Sequence, residues 1–108
     1  INTQEIEDLL LETGLVVEAF ITGVPDTMLG NKLVAIAVAA NKETDTQEIL
    51  SACARIMPKY KIPQTLLLVS SLPKKITGKI DKNSCLELIS EHSNNKQNNN
   101  KGSEHEQH

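Results

Sequence analysis

Apolar positions recur along this chain at two different periods. Ile6, Leu9 and Leu10 fall on one stripe of a helix. Asn2, with Glu5 three residues on, supplies an N-cap signature, Thr3 takes the first helical position, and Gly14 supplies the stop. The period then drops to two. Val16, Glu18, Phe20 and Thr22 alternate against Val17, Ala19, Ile21 and Gly23, which predicts a strand over residues 16–23. Pro25-Asp26 predicts a loop, and the near-continuous apolar run over residues 32–40 predicts a second, more buried strand. After a turn at residues 41–44, Asp45 and Glu48 form another capping pair. Ile49, Cys53, Ile56 and Met57 then mark the inward face of a helix that Pro58 ends. Residues 65–69 are too short for a helix and predict a third strand. Asp81 caps a last helix with Cys85, Leu86 and Ile89 inward.

Three helices and three strands follow, but not in strict βαβ alternation, because two strands are consecutive. The expected fold class is α+β: a small three-stranded sheet flanked by about three helices. Beyond Glu91 no hydrophobic residue occurs, and residues 94–101 are rich in Asn, Gln and Lys. Such a segment cannot offset its ordering entropy by burial. The expected organisation is therefore one domain over residues 1–91 and a disordered tail over residues 92–108.

Composition narrows the options. The 108 residues suffice for one small domain, and with Phe20 and Tyr60 as the aromatics the core must be aliphatic. A net charge of −3 gives no global case for nucleic acid. Cys53 and Cys85 sit among apolar neighbours on predicted helices, which points to buried free thiols in a reducing compartment. No histidine has metal-ligand spacing with either cysteine, and His92, His105 and His108 fall in the polar tail, so no metal site is expected. No apolar run approaches the ~20 residues of a membrane span, and no signal peptide is visible, so a cytoplasmic location is expected.

Candidate chemistry concentrates in one stretch. The apolar run Leu66-Leu67-Leu68-Val69 leads into Ser71-Leu72-Pro73-Lys74-Lys75-Ile76-Thr77-Gly78-Lys79-Ile80-Asp81-Lys82. A Thr-Gly turn there presents Lys79 between a strand and a helix. Gly78 lets the backbone bend and approach a ligand. A lysine on such a turn is a mobile point charge suited to a phosphate or a carboxylate. Taken alone, the pair reads equally as a solvated turn lysine.

The order of motifs along the rest of the chain shifts the balance toward a functional lysine. Gly23-Val24-Pro25-Asp26, Gly30-Asn31-Lys32-Leu33-Val34-Ala35, Pro58-Lys59-Tyr60-Lys61-Ile62-Pro63, Ser71-Leu72-Pro73-Lys74 and Thr77-Gly78-Lys79-Ile80-Asp81-Lys82 occur in that sequence. This arrangement resembles the C-terminal lid domain of the adenylate-forming superfamily, which comprises acyl- and aryl-CoA synthetases, peptide-synthetase adenylation domains and luciferases. The resemblance covers residues 1–91. It implies a two-step reaction: ATP and a carboxylic acid give an acyl-adenylate, and the acyl group then passes to the thiol of CoA or a carrier-protein phosphopantetheine. Lys79 matches the family's adenylation lysine, with Thr77 and Gly78 shaping an adenylate-contacting loop. ATP and Mg2+ would be bound mainly by a large N-terminal domain absent from these residues, as would the acid. The family's hinge is expected just upstream of Ile1.

Arg55 lies in the region where CoA ligases place a basic contact to the CoA nucleotide, and reads otherwise as part of a solvated helix face. Leu29 stands where some CoA-ligase relatives carry a basic residue. Lys59 and Lys61 are expected to snorkel over the sheet edge. Glu5 and Glu7 read as carboxylates favoured by the helix N-terminus. The lysine-rich context of Lys79 also resembles the setting in which protein acetyltransferases modify such lysines, and acetylation would remove the charge. Two functions are therefore expected: the lid of an AMP-forming acid–thiol ligase, inactive by itself, or a free-standing non-catalytic module that docks on an adenylation core or a carrier protein.

Overall fold

The computed structural model describes residues 2–28 and 30–105, with side chains through Ser93. The chain runs α1 (Thr3–Glu12), β1 (Val16–Asp26), β2 (Gly30–Ala39), α2 (Thr46–Ile56), a 3-10 turn (Lys59–Lys61), β3 (Thr65–Leu68) and α3 (Lys82–His105). The three-helix, three-stranded α+β expectation holds. Of the tail expected to be disordered over residues 92–108, residues 92–105 continue the backbone of α3 and residues 106–108 lie outside the described residues.

The caps form as the sequence dictates. Asn2 Oδ1 accepts from the backbone N–H groups of Gln4 and Glu5 at 3.0 and 3.3 Å. Asp45 Oδ1 accepts from Glu48 N–H at 2.8 Å, and Asp81 Oδ1 from Ser84 N–H at 3.2 Å. Each satisfies a donor that a helix start leaves orphaned.

The sheet order is β1-β2-β3, with β1/β2 antiparallel and β2/β3 parallel. β2 is central, which explains its apolar run, and α2 is the crossover that parallel pairing requires. β1 is longer than its alternation predicts. Pro25 and Asp26, expected in a loop, pair with Asn31 and Gly30. Proline has no N–H to donate, and an edge strand tolerates it. The alternation itself breaks at a bulge between Val16 and Glu18. The extra residue turns Val16 to the same face as Ala19 and Ile21, and leaves Val17 exposed.

The two faces of the sheet carry separate cores. One packs Val16, Ala19, Ile21, Ala35, Ala37 and Leu66 against Ile6 and Leu10 of α1 and Ile49 and Cys53 of α2. The other packs Phe20, Val34 and Ile36 against Leu72 and against Cys85 and Ile89 of α3. Both cysteines are free and buried, one in each core, so the sheet separates them. Ile56 and Leu86, expected inward, are 44% and 42% exposed. Ile56 ends α2 just before Met57, which turns in from extended backbone instead. Beside Leu86, the buried stripe of α3 is already filled by Cys85 and Ile89.

Candidate functional site

Lys79 stands on a small hairpin between β3 and α3. Lys74 and Ile80 pair as an antiparallel bridge. Beyond it, Lys75 N–H donates to Lys79 C=O and Gly78 N–H donates to Lys75 C=O, each at 2.8 Å. The loop closes through Gly78 at φ +92°. This is the three-residue hairpin connection that ends on a residue in left-handed backbone. An added Cβ on Gly78 would meet nothing within 4 Å. The glycine is therefore needed for its dihedral within this chain, not to relieve crowding.

The stem is held at its base. Asp81 N–H donates to Pro73 C=O at 2.9 Å, and Leu72 and Ile80 pack into the second core. Cys85 N–H donates to Asp81 C=O at 3.1 Å, which carries the hairpin directly into α3. The tip is bare: Ile76, Thr77 and Lys79 are exposed. Among the described residues the Lys79 ammonium makes no side-chain hydrogen bond or ion pair. It projects beside a cleft bounded by the start of α1, the edge of β1 and the start of α3.

Two glutamates fix that cleft's walls, and neither role is legible in the linear sequence. Glu7 of α1 accepts from Ile21 N–H through Oε2 at 2.9 Å. It thus satisfies an outward-facing donor on the edge strand β1. Glu18 of β1 accepts from Lys74 Nζ at 2.7 Å. Glu5, read as a helix-terminal carboxylate, also pairs with Lys61 at 2.9 Å, so Lys61 ties α1 to the 3-10 turn. That hydrogen bond raises the Lys61 pKa. The Lys61 ammonium also lies 5.9 Å from the centroid of the Tyr60 ring.

Arg55 is not near this hairpin. It sits on the last turn of α2, over a different cleft that it shares with Thr13, Asp45 and Glu48. α2 packs on the first core and the hairpin on the second, so Arg55 and Lys79 occupy opposite sides of the sheet. Leu29 lies outside the described residues. Burial raises the pKa of both thiols, and the Asp81 charge adds to the effect at Cys85. Neither thiol reaches the cleft. Among the described residues no group of His, Cys, Asp or Glu could hold a metal ion, and no helix is long and apolar enough to cross a membrane.

Residues 5–79 match the model of the AMP-binding enzyme C-terminal domain, a match that ends on Lys79 itself. The chain is 33% identical over 76 residues to the long-chain-fatty-acid–CoA ligase FadD13 of Mycobacterium tuberculosis, covering 70% of this chain and 15% of that protein. It is 39% identical over 80 residues to the 2-succinylbenzoate–CoA ligase of Listeria monocytogenes, covering 73% of this chain and 17% of that one. Among solved structures, the fatty acyl CoA synthetase of Mycobacterium tuberculosis superposes with a TM-score of 0.72 at 32% identity, over 82% of this chain and 18% of that chain. The chain thus spans less than a fifth of the length of these relatives.

Proposed function

Because the chain belongs to the family of AMP-binding enzyme C-terminal domains, we propose that residues 1–91 are the lid of an AMP-forming acyl- or aryl-CoA ligase and that Lys79 serves its adenylation step. The observation that carries this reading is the hairpin. It holds an exposed ammonium, unpaired among the described residues, on a short stem anchored in the core.

In the adenylation step a carboxylate oxygen attacks the α-phosphate of ATP and pyrophosphate leaves. Negative charge concentrates between the attacking and receiving groups. A cation fixed between them stabilises this transition state more than the separated reactants. The hairpin supplies such a cation on a backbone that needs little reorganisation. Thr77 and Gly78 form the loop that sets its direction. The acyl-adenylate then transfers its acyl group to a thiol, and AMP leaves. CoA is the proposed acceptor because the relatives described above are named as CoA ligases.

ATP, Mg2+ and the acid are assigned to a large adenylation domain of the same enzyme. A lone lysine offers a substrate neither proximity nor orientation, so this domain alone is proposed to be inactive. The separation of Arg55 from Lys79 across the sheet suits a lid that turns between half-reactions, offering the Lys79 side first and another face to CoA second.

The test uses the enzyme that joins this chain to its adenylation domain, as wild type and as Lys79→Ala. Acid-dependent ATP–pyrophosphate exchange is expected to fall by about a hundredfold or more, the scale of removing one transition-state electrostatic contact. Thioester formation from supplied acyl-adenylate is expected to persist. Unchanged exchange would remove Lys79 from the adenylation step. Arg55→Ala is expected to raise the KM for CoA and leave exchange intact.

A further inference from the structure

We infer that Glu18, on the edge strand β1, is a positioning residue for Lys79, acting through its ion pair with Lys74 at the stem of the hairpin. The inference rests on the reading of Lys79 given above.

The hairpin has two kinds of anchor. Leu72 and Ile80 bury its base in the second core, and Asp81 N–H donates to Pro73 C=O at 2.9 Å. These hold the base in place. Apolar packing is not directional, however, and among the described residues the side-chain hydrogen bond that ties the hairpin to the body of the domain is that of Lys74. That side chain reaches across to Glu18 and donates at 2.7 Å, joining segments 56 residues apart. Lys74 is itself the bridge partner of Ile80, the residue next to Lys79. The following residue, Lys75, donates to Lys79 C=O at 2.8 Å. A displacement of Lys74 therefore passes to Lys79 through the Lys75–Lys79 backbone hydrogen bond that forms part of this bridge.

A charged hydrogen bond is short and directional, so it fixes the tilt of the hairpin as packing cannot. The two side chains remain 37% and 34% exposed, so the pair contributes little to global stability. That combination marks a contact that sets an orientation more than it holds the fold. Glu18 stands two residues from Phe20 in unbroken register, so it lies on the side of the sheet that carries the second core, into which the base of the hairpin packs.

Two measurements test the inference. In the 108-residue chain, Glu18→Ala is expected to speed hydrogen exchange at the Lys75 and Gly78 amides several-fold, with the central-strand Ile36 amide unchanged. In the joined enzyme, Glu18→Ala is expected to lower kcat for adenylation about tenfold, since small misplacements of a catalytic group act on that scale or above. The KM for the acid and the rate of thioester formation should not move. The exchanged pair Glu18→Lys with Lys74→Glu is expected to restore both exchange protection and adenylation. A Glu18→Ala enzyme that adenylates at the wild-type rate, beside a Lys79→Ala enzyme that does not, overturns the role of Glu18 and leaves that of Lys79 standing. Loss of activity that the exchanged pair does not restore overturns it too. A Lys79→Ala enzyme that adenylates normally overturns the reading of Lys79, and the role of Glu18 goes with it.

Discussion

Gly78 concentrates more consequence than its size suggests. Any L-residue there must hold φ +92°, a conformation costing about 1–2 kcal/mol without glycine. Because the site is open, Gly78→Ala should leave the two cores intact. The expected outcome is a thermal midpoint lowered by a few degrees, with adenylation in the joined enzyme reduced far more than that loss of stability implies. Thr77, Gly78 and Lys79 are legible in the sequence because a hairpin is local: its turn glycine and its lysine are neighbours in the chain. Glu18 is not legible, because its partner lies 56 residues away and only the fold brings them together. The same holds for Glu7, whose acceptor role depends on which side of β1 is left unpaired.

At the scale of elements, the helix starts are the most predictable features. Each depends on a side chain and an N–H two or three residues apart. Asp45→Ala should cost about 1 kcal/mol, measured by denaturant unfolding, and Asn2→Ala a similar amount. Glu7→Ala tests something different. It leaves the half-buried Ile21 N–H without its 2.9 Å acceptor, at a cost of about 1–3 kcal/mol. It also bares a paired-strand edge to other chains, so a rise in concentration-dependent association should accompany the loss. Strands were less legible than helices. Period-two alternation locates β1, but it cannot reveal that one residue bulges out and reverses the faces on either side. Nor does a helical stripe say which of two adjacent apolar residues a neighbour will cover. Cys85 is enclosed and Leu86 is left half open for that reason.

The molecule as a whole is a sheet with two unlike cores, each enclosing one thiol. Burial raises the pKa of Cys53 and Cys85, and the bond to Glu5 raises that of Lys61. The sign is the same for all three. A group whose pKa is higher folded than unfolded contributes its stability fully below the unfolded value and loses it as pH rises through the folded one. Stability should therefore hold through neutral pH and decline above about pH 9, where unfolded thiols ionise. Urea unfolding followed between pH 7 and 10.5 checks this, and Cys53→Ala with Cys85→Ala should flatten the thiol part of the decline. In the folded chain at pH 8, a thiol reagent should modify neither cysteine until the protein unfolds.

The parallel pairing of β2 with β3 also dictates an order of events. β1 and β2 meet across a short turn, a closure that takes microseconds. β3 cannot join until the chain has traversed α2, since Val34 pairs with Thr65. Contacts this far apart must first overcome the entropy of closing the intervening loop. The hairpin follows β3, and its stem needs the second core that Leu72 and Ile80 help to build. During synthesis, then, a chain halted before residue 65 holds α1, β1, β2 and α2 while Val34 and Ile36 still face water. The lysine proposed for the adenylation step lies on that hairpin and takes its place only as the second core forms. A domain built this way does not fix the hairpin before the sheet and the second core that hold it are assembled.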